Sequence, residues 1–192
     1  MKYLQDIILK QGKVLPGDIL KVDSFLNHQI DTRIMNEIGK EFSNIFKDNK
    51  PTKILTIETS GVAIAQATSV NMDYIPVVYA KKDAHLNMSN DCFEAKETSY
   101  TKGSDYNVKV AKEYLCENDR VLIVDDFLAN GEALNALLDI CNQANAKVIG
   151  IGIVIAKMYQ PGYERIIKIN KNIHILAKVK SMTDDGKIEF ED

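Results

Sequence analysis

The 192-residue sequence has no tryptophan, three cysteines, three histidines and four prolines. Cys92, Cys116 and Cys141 are odd in number, far apart and without a Cys-x-x-Cys pair. That excludes a disulfide framework and a cysteine-built zinc site, and implies free thiols in a reducing compartment. His28, His85 and His174 show no ligand spacing with one another or with a cysteine, so no metal held by protein groups alone is foreseen. Long hydrophobic runs are missing as well. The longest, Val148 to Ala156, spans nine residues including two glycines, against the roughly 20 that a bilayer-spanning helix needs. The amino terminus offers only Ile7, Ile8 and Leu9 in a row, short of a signal peptide's apolar core. Neither sign of charge dominates: 24 Lys and Arg against 27 Asp and Glu leave a net of −3, which gives a polyanion no basic surface. The expectation is a cytoplasmic chain with neither a membrane nor a nucleic acid as partner.

What is present is the composition of an ordinary globular protein, 45% hydrophobic and 27% charged, at a length that suits one domain. Asp31 can cap a helix whose apolar residues Ile34, Met35, Ile38, Phe42, Ile45 and Phe46 recur at helical spacing. Strands are predicted over 53–57, 75–80, 120–124 and 147–156, and helices over 62–68 and 131–143. Their runs of Val and Ile lack polar alternation, the mark of strands buried on both faces, so a parallel sheet between helices follows. Residues 81–119 break the rhythm: weak alternation in 97–101 and 106–111 around Gly103 suggests a polar excursion ending in a hairpin, and such excursions are often lids. After Pro161, residues 162–169 can form a short helix, and 173–179 with 187–190 read as antiparallel strands.

The informative segment is Val121-Leu122-Ile123-Val124-Asp125-Asp126-Phe127-Leu128-Ala129-Asn130-Gly131-Glu132-Ala133. A buried strand delivers two carboxylates to its carboxyl end, where open parallel sheets bind ligands, and a small-residue turn then opens a helix. Free backbone N–H groups at that helix start can hold a phosphate, with Gly131 and Ala133 leaving room for its oxygens. Carboxylates repel a phosphate, but they accept hydrogen bonds from ribose hydroxyls and balance positive charge developing on a sugar. A sugar phosphate satisfies both halves. Four apolar residues followed by two acids also describe a Walker B strand, but no Gly-x-x-x-x-Gly-Lys-Ser/Thr occurs, which excludes a P-loop ATPase. Gly150-Ile151-Gly152 lies inside a predicted strand with Ile155 in the third position, which argues against a dinucleotide site.

This segment resembles the phosphoribosyl-diphosphate signature of the type I phosphoribosyltransferases. Leu20 to Asp31, Asp126 to Gly131 and Gly150 to Ile155 extend the likeness over nearly the whole chain, to bacterial members of that family acting on xanthine. The resemblance implies an α/β fold with a mainly parallel twisted sheet flanked by helices, all in one domain. Its core would span about 32–156, a hood 1–31 and 157–192, and a mobile hairpin loop 81–104. It implies a transferase that joins the 5-phosphoribosyl group to N9 of xanthine, with Mg²⁺ arriving on the sugar diphosphate and a homodimer as the assembly. Asp125 and Asp126 would be catalytic, and Ala129, Asn130, Gly131, Glu132 and Ala133 would hold the 5′-phosphate. Glu58, Thr59, Ser60 and Gly61, with Lys81 and Lys82, would hold the diphosphate. Leu20, Asn27 and Lys157 would contact the base; Lys157 can donate to a carbonyl oxygen of a 2,6-dioxopurine, and Asn27 can both donate and accept. Thr32 stands where the resemblance leads one to expect Pro. Two rivals remain open: transfer to hypoxanthine or guanine, and a regulator that binds the sugar diphosphate without catalysis.

Overall fold

The computed structural model describes residues 1–82, 91–99, 104–183 and 185–191. Helix α1 (Lys2–Gln11), a small hairpin of β1 (Lys13–Leu15) and β2 (Ile19–Lys21), and a wide helical turn over Asp23–Asn27 precede α2 (Thr32–Phe46). Strand β3 (Lys53–Ile57), α3 (Ser60–Val70) and β4 (Val77–Lys82) form the first strand–helix–strand unit. Next come the antiparallel pair β5 (Cys92–Ser99) and β6 (Ser104–Ala111), then β7 (Arg120–Leu128), α4 (Glu132–Gln143) and β8 (Lys147–Lys157). Helix α5 (Gly162–Ile169), β9 (Ile173–Met182) and β10 (Ile188–Phe190) close the chain.

Among the described residues the main sheet has eight strands in the order β10-β9-β8-β7-β3-β4-β6-β5. The five from β9 to β4 are parallel, as buried Val and Ile runs require, and antiparallel strands flank them on both sides. Side chains alternate across the sheet. Ile54, Leu122 and Val124 pack with α2 and α3 on one face, while Leu55, Val121 and Ile123 pack with α4 and α5 on the other. The two glycines of β8 receive rings from α2: an added Cβ at Gly150 would lie 2.6 Å from Phe46, and one at Gly152 2.8 Å from Phe42. All three cysteines are free, and burial pushes the Cys141 thiol up to about 12. Among the described residues no helix is long and apolar enough to cross a membrane.

Three expectations need correction. Strand β4 is displaced, running from Val77 to Lys82, because Pro76 cannot donate to the ladder and Lys81 and Lys82 pair with Lys109 and Val108 of β6. Helix α3, expected over 62–68, starts earlier, with Ser60 and Gly61 in its first turn. Strand β7 continues through both acids to Leu128, held by β8 through the Asp125–Ile153 and Phe127–Ile155 pairings. Of the expected mobile loop, positions 83–90 and 100–103, with His85 and Gly103, lie outside the described residues.

Candidate active site

The carboxyl ends of β3 and β7 lie side by side where the strand order reverses, the position at which open parallel sheets bind ligands. A cavity of about 390 Å³ opens there. Residues 57–61 and Lys82 form one wall; Asp125, Asp126, Phe127 and Ala133 form the other. The Glu58–Thr59 peptide is cis. The Lys82 backbone N–H donates to Glu58 Oε1 at 2.6 Å, which ties this turn to the end of β4. Gly61 is required by close approach: an added Cβ would sit 2.0 Å from Thr56 Oγ1 and 3.3 Å from Asp125 Oδ1.

Because both acids belong to a strand, their side chains leave on opposite sides. Asp125 is 4% exposed, and its Oδ1 accepts the Asp126 N–H at 3.0 Å. Burial, then the neighbouring Asp126 charge, push its carboxyl well above the ordinary range. Asp126 is partly exposed and its Oδ1 accepts the Phe127 N–H at 2.9 Å. Burial raises its carboxyl too, against hydrogen bonds from the Phe127 N–H and the side chains of Ser60 and Asn27. Asp126 is therefore the acid better prepared to carry a negative charge.

The turn 129–131 leads into α4 through Gly131, whose φ of +87° suits glycine. Helix α5 braces this turn. The Gly162 N–H donates to the Ala129 carbonyl at 3.0 Å, and Arg165 Nη1 reaches Glu132 Oε1 at 3.2 Å. The start of α4 is thus braced by a second helix, and the first-turn amides and dipole of a helix suit an anion.

The predicted residues do not all share one wall. Ala133 lines the cavity, whereas Ala129, Asn130, Gly131 and Glu132 stand beyond it, and so do Leu20, Asn27 and Lys157. Asn27 lies near enough to the Asp126 carboxyl to lower it. Leu20 is buried in β2, and Lys157 ends β8 with its ammonium on Asp18 in the β1–β2 turn. The two lysines of β4 part company. Lys82 faces the cavity, while Lys81 lines a separate groove with Lys53, Tyr79 and Tyr114 and packs over the Tyr79 ring. Sequence reasoning missed Thr56, Asp18, Gly162 and Arg165; of these only Gly162, one residue into a helix after Pro161, carried a local signal.

Among the described residues no three carboxylate, imidazole or thiol groups converge as a metal cage. A pair of adjacent carboxylates fits a hard divalent cation that brings most of its oxygen ligands with it on a diphosphate.

The family model of the phosphoribosyl transferase domain matches residues 22–181. The chain is 49% identical over 191 residues to the xanthine phosphoribosyltransferase of Pediococcus pentosaceus, covering 100% of both. It is 50% identical over 192 residues to that of Finegoldia magna, again covering 100% of both. Among solved structures, the APRTase of Giardia lamblia complexed with 9-deazaadenine superimposes with a TM-score of 0.79 at 18% identity, over 93% of this chain and 98% of its own. The sheet order, the paired acids near the carboxyl end of β7 and the turn after that strand thus sit in a domain already recognised for this architecture, and the chain belongs to the phosphoribosyl transferase family.

Proposed function

We propose that this protein transfers the 5-phosphoribosyl group of 5-phospho-α-D-ribose 1-diphosphate to N9 of xanthine, giving xanthosine 5′-phosphate and diphosphate, a purine-salvage reaction. One observation carries the reading: the acid pair and the turn 58–61 share a single cavity at the point where the sheet reverses direction. Two full-length relatives carrying the name xanthine phosphoribosyltransferase support the choice of base.

In this reading the braced start of α4 holds the 5′-phosphate and fixes the sugar over the acids. The turn 58–61 and the Lys82 ammonium take the diphosphate, which leaves with the electrons of the C1′–O bond as N9 supplies those of the new bond. Lys81, also expected at the diphosphate, lines the other groove in the single chain. Asp126 lies beside the ribose, offsets the positive charge spreading over C1′ and the ring oxygen, and can accept the N9 proton. Buried Asp125 holds the Asp126 backbone in place. A magnesium ion bound with the sugar diphosphate would neutralise the leaving group, and the partly exposed Asp126 would be the carboxylate to support it. The base would rest between Leu20, Asn27 and Lys157, and the hood 1–31 with 157–192 would close over the core 32–156. A homodimer belongs to the same reading. Diphosphate release measured with xanthine, guanine, hypoxanthine and adenine, with and without Mg²⁺, tests it. Xanthine should give the highest kcat/KM, with dependence on Mg²⁺; a preference for guanine or hypoxanthine overturns the base, and no release with any purine overturns the reaction.

A further inference from the structure

The β1–β2 turn carries Asp18 with a φ of +62°, and this residue is fastened to a part of the chain 139 residues away. Its backbone carbonyl and its Oδ2 both accept from Lys157 Nζ, the latter at 3.3 Å. Tyr159 Oη donates to Oδ1 at 2.5 Å and Gln160 Nε2 to Oδ2 at 2.5 Å. A single carboxylate thus gathers three side chains from the end of β8 and the turn after it. Burial works against its charge, but the Tyr159 and Lys157 bonds outweigh that and hold the Asp18 carboxyl below its ordinary value. Burial and the same carboxylate push the Tyr159 phenol upward, so it stays a donor.

Leu20 lies two residues beyond Asp18 on the strand that leaves this turn. Asp18 is therefore the joint at which the segment bearing Leu20 meets Lys157. An ammonium on a four-carbon stem has no preferred direction of its own. With two of its three N–H groups committed to Asp18, the third is confined to a narrow arc, and the side chain, 11% exposed, is kept from swinging into solvent. We infer that Asp18 is a positioning and specificity residue for the purine base: it aims the Lys157 ammonium and pins the β1–β2 turn so that Leu20 and Lys157 present one fixed surface to the incoming ring. The inference rests on Leu20 and Lys157 being base contacts, as proposed above.

Asp18→Asn is a clean probe, because Asn tolerates the left-handed backbone and keeps the shape while removing the charge. Steady-state kinetics on the full chain should show KM for xanthine raised about tenfold or more, as expected for loss of a charge-assisted contact. KM for phosphoribosyl diphosphate and kcat should stay within about twofold, and Tm should be little changed. Lys157→Met, measured in parallel, separates the two claims. If Lys157→Met raises the xanthine KM and Asp18→Asn does not, the positioning role is wrong and the base site stands. If Lys157→Met leaves the xanthine KM unchanged, the base contact fails and the inference with it. A lower xanthine KM in Asp18→Asn would mean the carboxylate competes with the base, and a parallel loss in both KM values, kcat and Tm would mean a merely structural clasp; either result overturns the inference. With Asp18→Asn and Lys157→Met combined, the loss in xanthine KM should be less than the two single losses together, because part of the Asp18 effect runs through that lysine; fully additive losses overturn the inference as well.

Discussion

The backbone N–H of Gly162 donates to the carbonyl of Ala129 at 3.0 Å, and nothing larger than glycine fits between them. An added Cβ at position 162 would meet that oxygen at 2.3 Å and Leu128 Cδ1 at 2.8 Å. One helix is thus seated on the turn that opens another. Gly162→Ala forces the two apart, at an overpacking cost of about 1–3 kcal/mol. It also tilts the amides that the proposed function assigns to the 5′-phosphate. The expected outcome is a raised KM for phosphoribosyl diphosphate with an unchanged KM for the base. Equal KM values in wild type and variant would show that α5 does not shape the phosphate turn.

Thr32 opens α2 and is exposed, behind an Asp31 cap whose Oδ1 accepts from Arg33 N at 2.9 Å and Ile34 N at 3.4 Å. The first helical position needs no N–H, and proline is favoured there. Asp31, at φ −80° and ψ 105°, already has the extended backbone that a residue before proline requires. Thr32→Pro should raise the unfolding free energy by about 0.4–1 kcal/mol through a stiffer unfolded chain, with kcat untouched. Urea titration of both proteins measures it, and a lower midpoint for the variant would mean that the Thr32 N–H or hydroxyl has a role of its own.

Much of the centre was legible for one reason. Residues 53–57, 121–124 and 148–156 are buried on both faces, so their Val and Ile runs announce parallel strands without help from context. The acid pair was legible too, though the strand carries it one step further than expected, because β8 keeps pairing past Asp125. Lys81 and Lys82 hid the end of β4, since charge suggested a loop and their partners, Lys109 and Val108, lie far along the chain in β6. Helix α1 was hidden by a thin apolar face: among its residues only Leu4 and Ile8 are buried, and no side chain caps it. Asp18 carried no signal at all, because every one of its partners comes from the far end of the chain.

Thr56 Oγ1 is buried without a hydrogen-bond partner among the described residues, packed under Gly61 beside the acid pair. A buried hydroxyl left unsatisfied costs about 1–3 kcal/mol. Valine has the same shape and no hydroxyl. Thr56→Val should therefore raise the stability by an amount in that range, read as a higher denaturation midpoint at an unchanged m-value. A destabilised variant would show that the hydroxyl is bonded after all, through a water or through the Asp125 carboxylate.

Asp125 sets stability against chemistry. Burial and the Asp126 charge raise its carboxyl well above the ordinary value, so the fold prefers it protonated. The stability this group contributes is full below the unfolded value of about 3.9 and is lost as pH climbs through the raised folded value. Asp125→Asn removes that loss. The variant should be more stable than wild type at neutral pH, with the advantage shrinking as the pH falls toward the unfolded value. Asp126→Asn, where hydrogen bonds from the Phe127 N–H, Ser60 and Asn27 offset part of the burial, should gain less. Both variants should lose activity, Asp126→Asn by about 10²-fold or more if it accepts the proton. Thermal unfolding at pH 5 and pH 8 beside kcat at pH 8 measures both sides. An Asp125→Asn protein no more stable at pH 8 than wild type would mean that the buried carboxylate is already compensated, and full activity in both variants would remove the acids from the reaction.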